Sequence, residues 1–150
     1  MCDADQPARE PVCDANQPAC EPVPESVRAL GAPAEIPARP GMLRRSYIGP
    51  ADGVRELFLE ELTFRHGAAI PLHQHPIVEA FVVLEGSLQF RLGEQTIEVG
   101  PERTVTIPPN TPHAVVNVQG RVARVLSAAP WDHSTFFREV TTYLEGEPRD

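Results

Sequence analysis

The chain has 150 residues, 23% of them charged, and a formal net charge of −8. That length suits one domain, and the acidic balance with no basic patch or basic helix argues against nucleic-acid binding. All 13 basic side chains are Arg; with no Lys there is no Schiff-base chemistry and no Walker-type phosphate loop.

No apolar run approaches the ~18 residues of a spanning helix, and no signal-peptide core is visible, so a cytoplasmic protein without a membrane partner is expected. Neither Gly-x-Gly-x-x-Gly nor Gly-x-Ser-x-Gly occurs, which leaves nucleotide cofactors and serine-hydrolase chemistry without support.

Along the chain, the first feature is a tandem repeat. CDADQPAREPV (Cys2–Val12) is followed directly by CDANQPACEPV (Cys13–Val23), identical at nine of eleven positions. Residues 1–25 hold six acids, one Arg and all three cysteines, Cys2, Cys13 and Cys20. Such a segment cannot bury a core, and the cysteine spacing is not that of a zinc knuckle. Residues 1–41 are therefore expected to form a disordered, proline-rich acidic tail, with at most one helical turn at Glu25–Leu30 ended by Gly31. Met42, the only methionine after Met1, is a candidate alternative start, and 42–150 is the expected folded domain.

From Val54 the texture changes to short strands and turns. RELFLEELTF reads as a strand whose alternation slips at Glu60–Glu61, where a bulge is expected. EAFVVLEG, SLQFRLGEQTIEV, RTVTIPP, HAVVNV and RVARVLSAA follow, and Gly93-Glu94 suits a two-residue type II′ hairpin. This rhythm predicts an all-β barrel or sandwich over 54–130. Near the end, Asp132 can cap a short helix over about 132–145, with Phe136, Phe137, Val140 and Leu144 as its apolar face.

Two segments carry chemistry. GAAIPLHQHPIVEAFVVLEG (Gly67–Gly86) places His73 and His75 two residues apart, so that on a strand both point to one face. Glu79 shares their parity if the strand resumes after Pro76. GPERTVTIPPNTPHAVVN (Gly100–Asn117) adds His113 after a turn rich in Pro and Asn. A surface pair of histidines beside an exposed glutamate is the bland alternative for the first segment alone.

Read together, Gly67-x5-His73-x-His75-x3-Glu79-x6-Gly86 and Pro108-x-Asn110-x2-His113-x3-Asn117 resemble the two motifs of a small single-domain cupin. Asn110 stands where the family has a glycine, a mild change because Asn tolerates the left-handed conformation. The resemblance implies an all-β, cupin-type jelly-roll β-barrel, between a disordered N-terminal tail and a short C-terminal helix. It also implies one divalent transition metal held by His73, His75, Glu79 and His113. Fe(II) is the first expectation, with Mn, Ni, Zn or Cu as alternatives, because three imidazoles and a carboxylate suit these ions and leave positions open.

Asn117 is expected to support a ligand from behind or, equally, to serve as a polar strand end. Phe81, Val83, Phe90 and Val115 are expected on the inner wall by parity, and His66, Tyr47 and Tyr143 are the extra candidates for moving a proton. The implied activity is that of a metal-dependent oxygenase or dioxygenase acting on a small organic substrate. The alternatives are a non-redox isomerase, cyclase or lyase, and a cupin that only binds a ligand or metal. A homodimer is expected, because small cupins often pair through their outer sheets.

Overall fold

A computed structural model describes residues 26–130 and 139–146. The tandem repeat and its cysteines lie outside the described residues. Residues 27–30 form neither helix nor strand, within the expected limit of at most one helical turn there. The fold proper begins at Gly31.

Eleven strands follow among the described residues: β1 (Ala34–Glu35), β2 (Met42–Ile48), β3 (Phe58–Phe64), β4 (Ala69–Gln74), β5 (Glu79–Glu85), β6 (Leu88–Leu92), β7 (Gln95–Val99), β8 (Thr104–Ile107), β9 (His113–Val116), β10 (Ala123–Ala129) and β11 (Thr142–Tyr143). They make two antiparallel sheets. One runs β1-β2-β3-β10-β5-β8 and the other β11-β4-β9-β6-β7. The chain is all-β, as the short alternating runs dictate. No helix among the described residues is long and apolar enough to cross a membrane.

The inner faces meet in one apolar cluster that includes Leu62, Phe64, Phe81, Val83, Leu88, Phe90, Val115 and Val125. Phe81 of the first sheet and Phe90 of the second touch edge to face, with ring centroids 5.5 Å apart; such a pair adds about 0.5–1.5 kcal/mol beyond its burial. The four residues expected on the inner wall by parity are thus packed core.

Turn chemistry follows the sequence closely. Gly93 has φ +58° and links Leu92 to its register partner Gln95 through two residues, as a type II′ hairpin requires. Asn110 has φ +58°, in the conformation that makes it an acceptable stand-in for glycine. Gly86 has φ +69°, and a Cβ there would lie 2.6 Å from the Val122 carbonyl oxygen. Only glycine lets β5 turn that close to β10.

Three expectations change. The irregularity expected at Glu60–Glu61 lies in the facing strand: β3 pairs with β10 without a break, while the β2 register shifts between Ser46 and Ile48. Both glutamates are buried because they point to opposite faces, each against an arginine. Glu61 faces outward under Arg124 and Tyr47, and Glu60 faces inward with Phe58, Leu62 and Phe64.

The helix expected over about 132–145 does not reach its C-terminal end. Residues 131–138 lie outside the described residues, and Glu139 and Val140 are helical. Thr142–Tyr143 is strand β11, paired with Gln74 and His73 of β4. A β-branched and aromatic pair beside an open strand edge favours extension over the 3.6-residue apolar period, and Leu144 is left 47% exposed.

The third change concerns residues 31–41, expected as the end of a tail. They carry β1, whose Ala34 and Glu35 pair with Arg44 and Leu43, and Ile36 packs against the core.

Candidate metal centre

The four expected ligands come together from both sheets. His73 of β4 and His113 of β9 are direct cross-strand partners, with ring centroids 4.1 Å apart. His75 lies just past β4, and Glu79 opens β5 on the opposite sheet. Shared parity along one strand is therefore not what aligns Glu79 with the histidines. The chain crosses between sheets at residues 75–78, and Glu79 faces the histidines across the barrel.

A local irregularity aims His73. Between Ile70 and His73 the β4 register slips against β9, so three steps on β4 span two on β9. This extra residue turns His73 to the inside with Ile70 and frees the Pro71 carbonyl, which accepts the His73 Nδ1–H at 2.8 Å. Nδ1 of His75 is held by Ile77 O at 2.9 Å, and Nδ1 of His113 by Thr111 O at 2.8 Å. A carbonyl can only accept, so each Nδ1 carries a proton and each ring turns its Nε2 inward.

Those nitrogens meet a carboxylate. Glu79 Oε2 lies 3.2 Å from His75 Nε2 and 3.3 Å from His113 Nε2. The four donor atoms lie within 4.8 Å of one another, and all four residues are buried. Burial, followed by the charge of His113, pushes the His73 imidazole down to about 4, so that ring is neutral near pH 7. Three imidazole nitrogens and a carboxylate turned to one buried point are the donor types that a divalent transition ion takes. A divalent transition ion with bonds of about 2.0–2.2 Å spans this set after a small contraction, and fixed Nδ1 bonds are the usual means of orienting such ligands. The residues fit the metal that the motif implies.

Two polar groups of this interior were not singled out in the sequence. Ser127 of β10, fully buried, donates from Oγ to Glu79 Oε1 at 3.1 Å and so leaves Oε2 to the histidines. Glu60 is the direct β3 partner of Ser127 and is also fully buried. Its Oε2 lies 2.7 Å from Arg44 Nε. Burial first, with Glu79 also contributing, raises its carboxyl to about 7 against the opposing pull of Arg44. Parity with Phe58, Leu62 and Phe64 is the sequence signal that would have placed Glu60 inside.

Of the other candidates, Tyr143 alone reaches the site; its ring centroid is 5.7 Å from that of His73. Tyr47 donates to Glu61 Oε2 at 2.6 Å on the outer face, and the exposed His66 contacts Gln119 O at 2.8 Å. Of the two roles expected for Asn117, support of a ligand or a polar strand end, its bonds are those of the strand end. Its Nδ2 donates to Phe64 O and Arg121 O, and its Oδ1 accepts from Gln119 N. It stands at the far end of β9 from His113.

The family described as Cupin domain matches residues 60–129. Residues 60–129 are a cupin domain. Among solved structures, this cupin is similar to the polyketide cyclase RemF from Streptomyces resistomycificus, at 28% identity and TM-score 0.59, over 75% of this chain and 80% of that one. It also resembles the DMSP lyase DddQ from Ruegeria pomeroyi DSS-3, at 27% identity and TM-score 0.51, over 63% of this chain and 47% of the lyase. An RmlC-like cupin from Shewanella frigidimarina NCIMB 400 shares the fold at 17% identity and TM-score 0.60, over 70% and 87% of the two chains. No curated protein matches the sequence.

Proposed function

We propose that this cupin is a metal-dependent enzyme acting on a small organic substrate, with oxygenation as its reaction and iron as its metal. The observation that carries the reading is the donor set: three Nδ1-anchored histidines and a Ser127-braced carboxylate, all buried and all turned to one point. When bound there, a divalent transition metal supplies Lewis acidity and, as iron, O₂ chemistry, with positions left open for small molecules.

The chain's own residues divide the remaining work. Phe81, Val83, Phe90 and Val115 form the apolar half of the interior and exclude water from the polar half. Pro71, Ile77 and Thr111 carbonyls hold the rings in one tautomer, so the ligand geometry does not have to be organised at each turnover. Ser127 keeps Glu79 from rotating.

A second reading, a non-redox cyclase, isomerase or lyase, draws on one specific observation. Glu60 is an inward carboxyl, paired across the strands with the serine that braces Glu79. With its carboxyl raised to about 7, it is poised to accept or return a proton at neutral pH. The similarity to a polyketide cyclase supports the same reading.

The two readings separate in one experiment. Protein reconstituted with Fe(II) and, separately, with Zn(II) is screened against small carbonyl and phenolic compounds under air and under argon. O₂ uptake with turnover in the iron form alone supports oxygenation. Turnover under argon with zinc overturns it in favour of the second reading.

A further inference from the structure

The β1–β2 turn brings an arginine to the edge of the metal centre. Arg39 N donates to Ile36 O at 2.9 Å and Arg39 O accepts from Met42 N at 3.1 Å, so its backbone is locked in place. From there the side chain crosses from the outer edge of one sheet to the outer edge of the other. Its Nη2 donates to the Tyr143 hydroxyl at 2.9 Å, and its guanidinium carbon lies 5.9 Å from the Tyr143 ring centroid. Tyr143 is the strand partner of His73, with the two ring centroids 5.7 Å apart.

One donor of this arginine is left over. Arg39 Nη1 is buried and has no hydrogen-bond partner among the described residues. Arg44, the neighbouring arginine on β2, has Glu60 against it at 2.7 Å, whereas Arg39 acts on Glu60 through its charge without a contact of that kind. The Tyr143 hydroxyl accepts from Arg39, which leaves its own proton to donate. A buried guanidinium N–H without an acceptor is costly, and the surrounding structure keeps it only if something fills the place.

We propose that Arg39 Nη1 and the Tyr143 hydroxyl form an oxyanion-binding subsite beside His73, so that the substrate is an organic anion whose carboxylate or enolate oxygen docks there. The chemistry is that of two neighbouring donors joined through the Arg39 Nη2 bond to the hydroxyl, one of them permanently charged and held in a fixed fork, which favours an oxyanion over a neutral carbonyl. This inference rests on the metal-centre reading only for what lies next to the subsite. The recognition itself belongs to Arg39 and Tyr143.

The test uses the full chain loaded with Zn(II). Calorimetric titration is run with acetate, 2-oxobutyrate, benzoate and 1-naphthoate, each beside its neutral primary amide, while zinc per chain is measured by elemental analysis. At least one carboxylate should bind at least about 10-fold more tightly than its amide. Arg39→Gln should weaken that carboxylate about 10- to 100-fold without changing amide binding or zinc content. Tyr143→Phe, which removes one hydroxyl from a retained ring, should weaken it to a lesser degree. Arg65→Gln, at an exposed arginine paired with Glu35, should bind as the unaltered protein does. No carboxylate preference across the panel, or a preference that survives in both Arg39→Gln and Tyr143→Phe, overturns the inference. Zinc below stoichiometry alongside Arg39-dependent carboxylate binding overturns the metal reading instead and leaves the subsite standing.

Discussion

Replacing Glu60 with Gln should make the metal-free protein more stable at neutral and mildly alkaline pH. Glu60 is fully buried, and its carboxyl is raised from 4.5 to about 7, chiefly by burial. A carboxyl raised in the folded state contributes its stability below the unfolded pKa and loses it as pH rises through the folded one. At about 1.4 kcal/mol per pKa unit, full ionisation costs the fold about 3 kcal/mol. Gln keeps the size and can accept from Arg44 but carries no charge to bury. Arg44 loses its ionic partner, yet its side chain is 37% exposed and can hydrate, which limits the offset. The expected gain is therefore roughly 1–3 kcal/mol at pH 8, shrinking towards zero near pH 4.5. Urea unfolding of chelator-treated Glu60→Gln and unaltered protein from pH 5 to 8 measures it; the metal must be absent because its charge would hold Glu60 ionised. A difference that stays flat with pH, or one that turns against Glu60→Gln as pH rises, would refute the reasoning.

The depressed His73 acts in the opposite sense. With a folded pKa of about 4 against 6.5 unfolded, it should cost the metal-free protein about 3 kcal/mol as pH falls through that window. The Glu60→Gln background shows this most cleanly by urea unfolding, and a stability that does not fall there counts against a buried neutral ring. Gly86→Ala should destabilise by about 2–4 kcal/mol, from left-handed strain and the 2.6 Å approach to Val122 O. Gly93→Ala, at φ +58° with nothing within 4 Å, should cost only about 1 kcal/mol; equal losses in chemical denaturation would deny the close approach. A chain begun at Met42 forfeits β1 and the packing of Ile36, and its Tm should drop by roughly 2–8 °C; an unchanged Tm would show that β1 contributes nothing.

Much of the fold was legible because its signals are local. Short strand-like runs located β3 and β5 through β10, and Gly93 and Asn110 announced their backbone conformations by residue type. The misses share a different cause. β11 exists because β4 offers an open edge to Thr142 and Tyr143, and no pattern within residues 139–146 reports that edge. β1 and β2 were hidden by the prolines and glycines around them, and MLRRSYI carries three polar residues in seven.

The site followed the same division. His73, His75, Glu79 and His113 were marked by the resemblance to the two cupin motifs, but how Glu79 meets the histidines was not, because a strand that changes sheets looks continuous in sequence. Ser127 and Glu60 are ordinary residues until the β3–β10 register sets them side by side. Arg39 looked like part of a tail, since only its bond to Tyr143, 104 positions away in the chain, brings it to the site.

The central claim is that His73, His75, Glu79 and His113 hold one divalent transition metal. Elemental analysis of full-length protein, beside His75→Ala and His113→Ala with far-UV circular dichroism of all three, tests it directly. The account predicts one metal ion per chain in the unaltered protein and most of it lost in both variants, with the β spectrum intact. It also predicts loss of the metal from the unaltered protein at acid pH, as the histidines protonate. Full occupancy in either variant, or no stoichiometric metal in the unaltered protein after dialysis against Fe(II), Mn(II), Ni(II), Zn(II) and Cu(II) in turn, would contradict it.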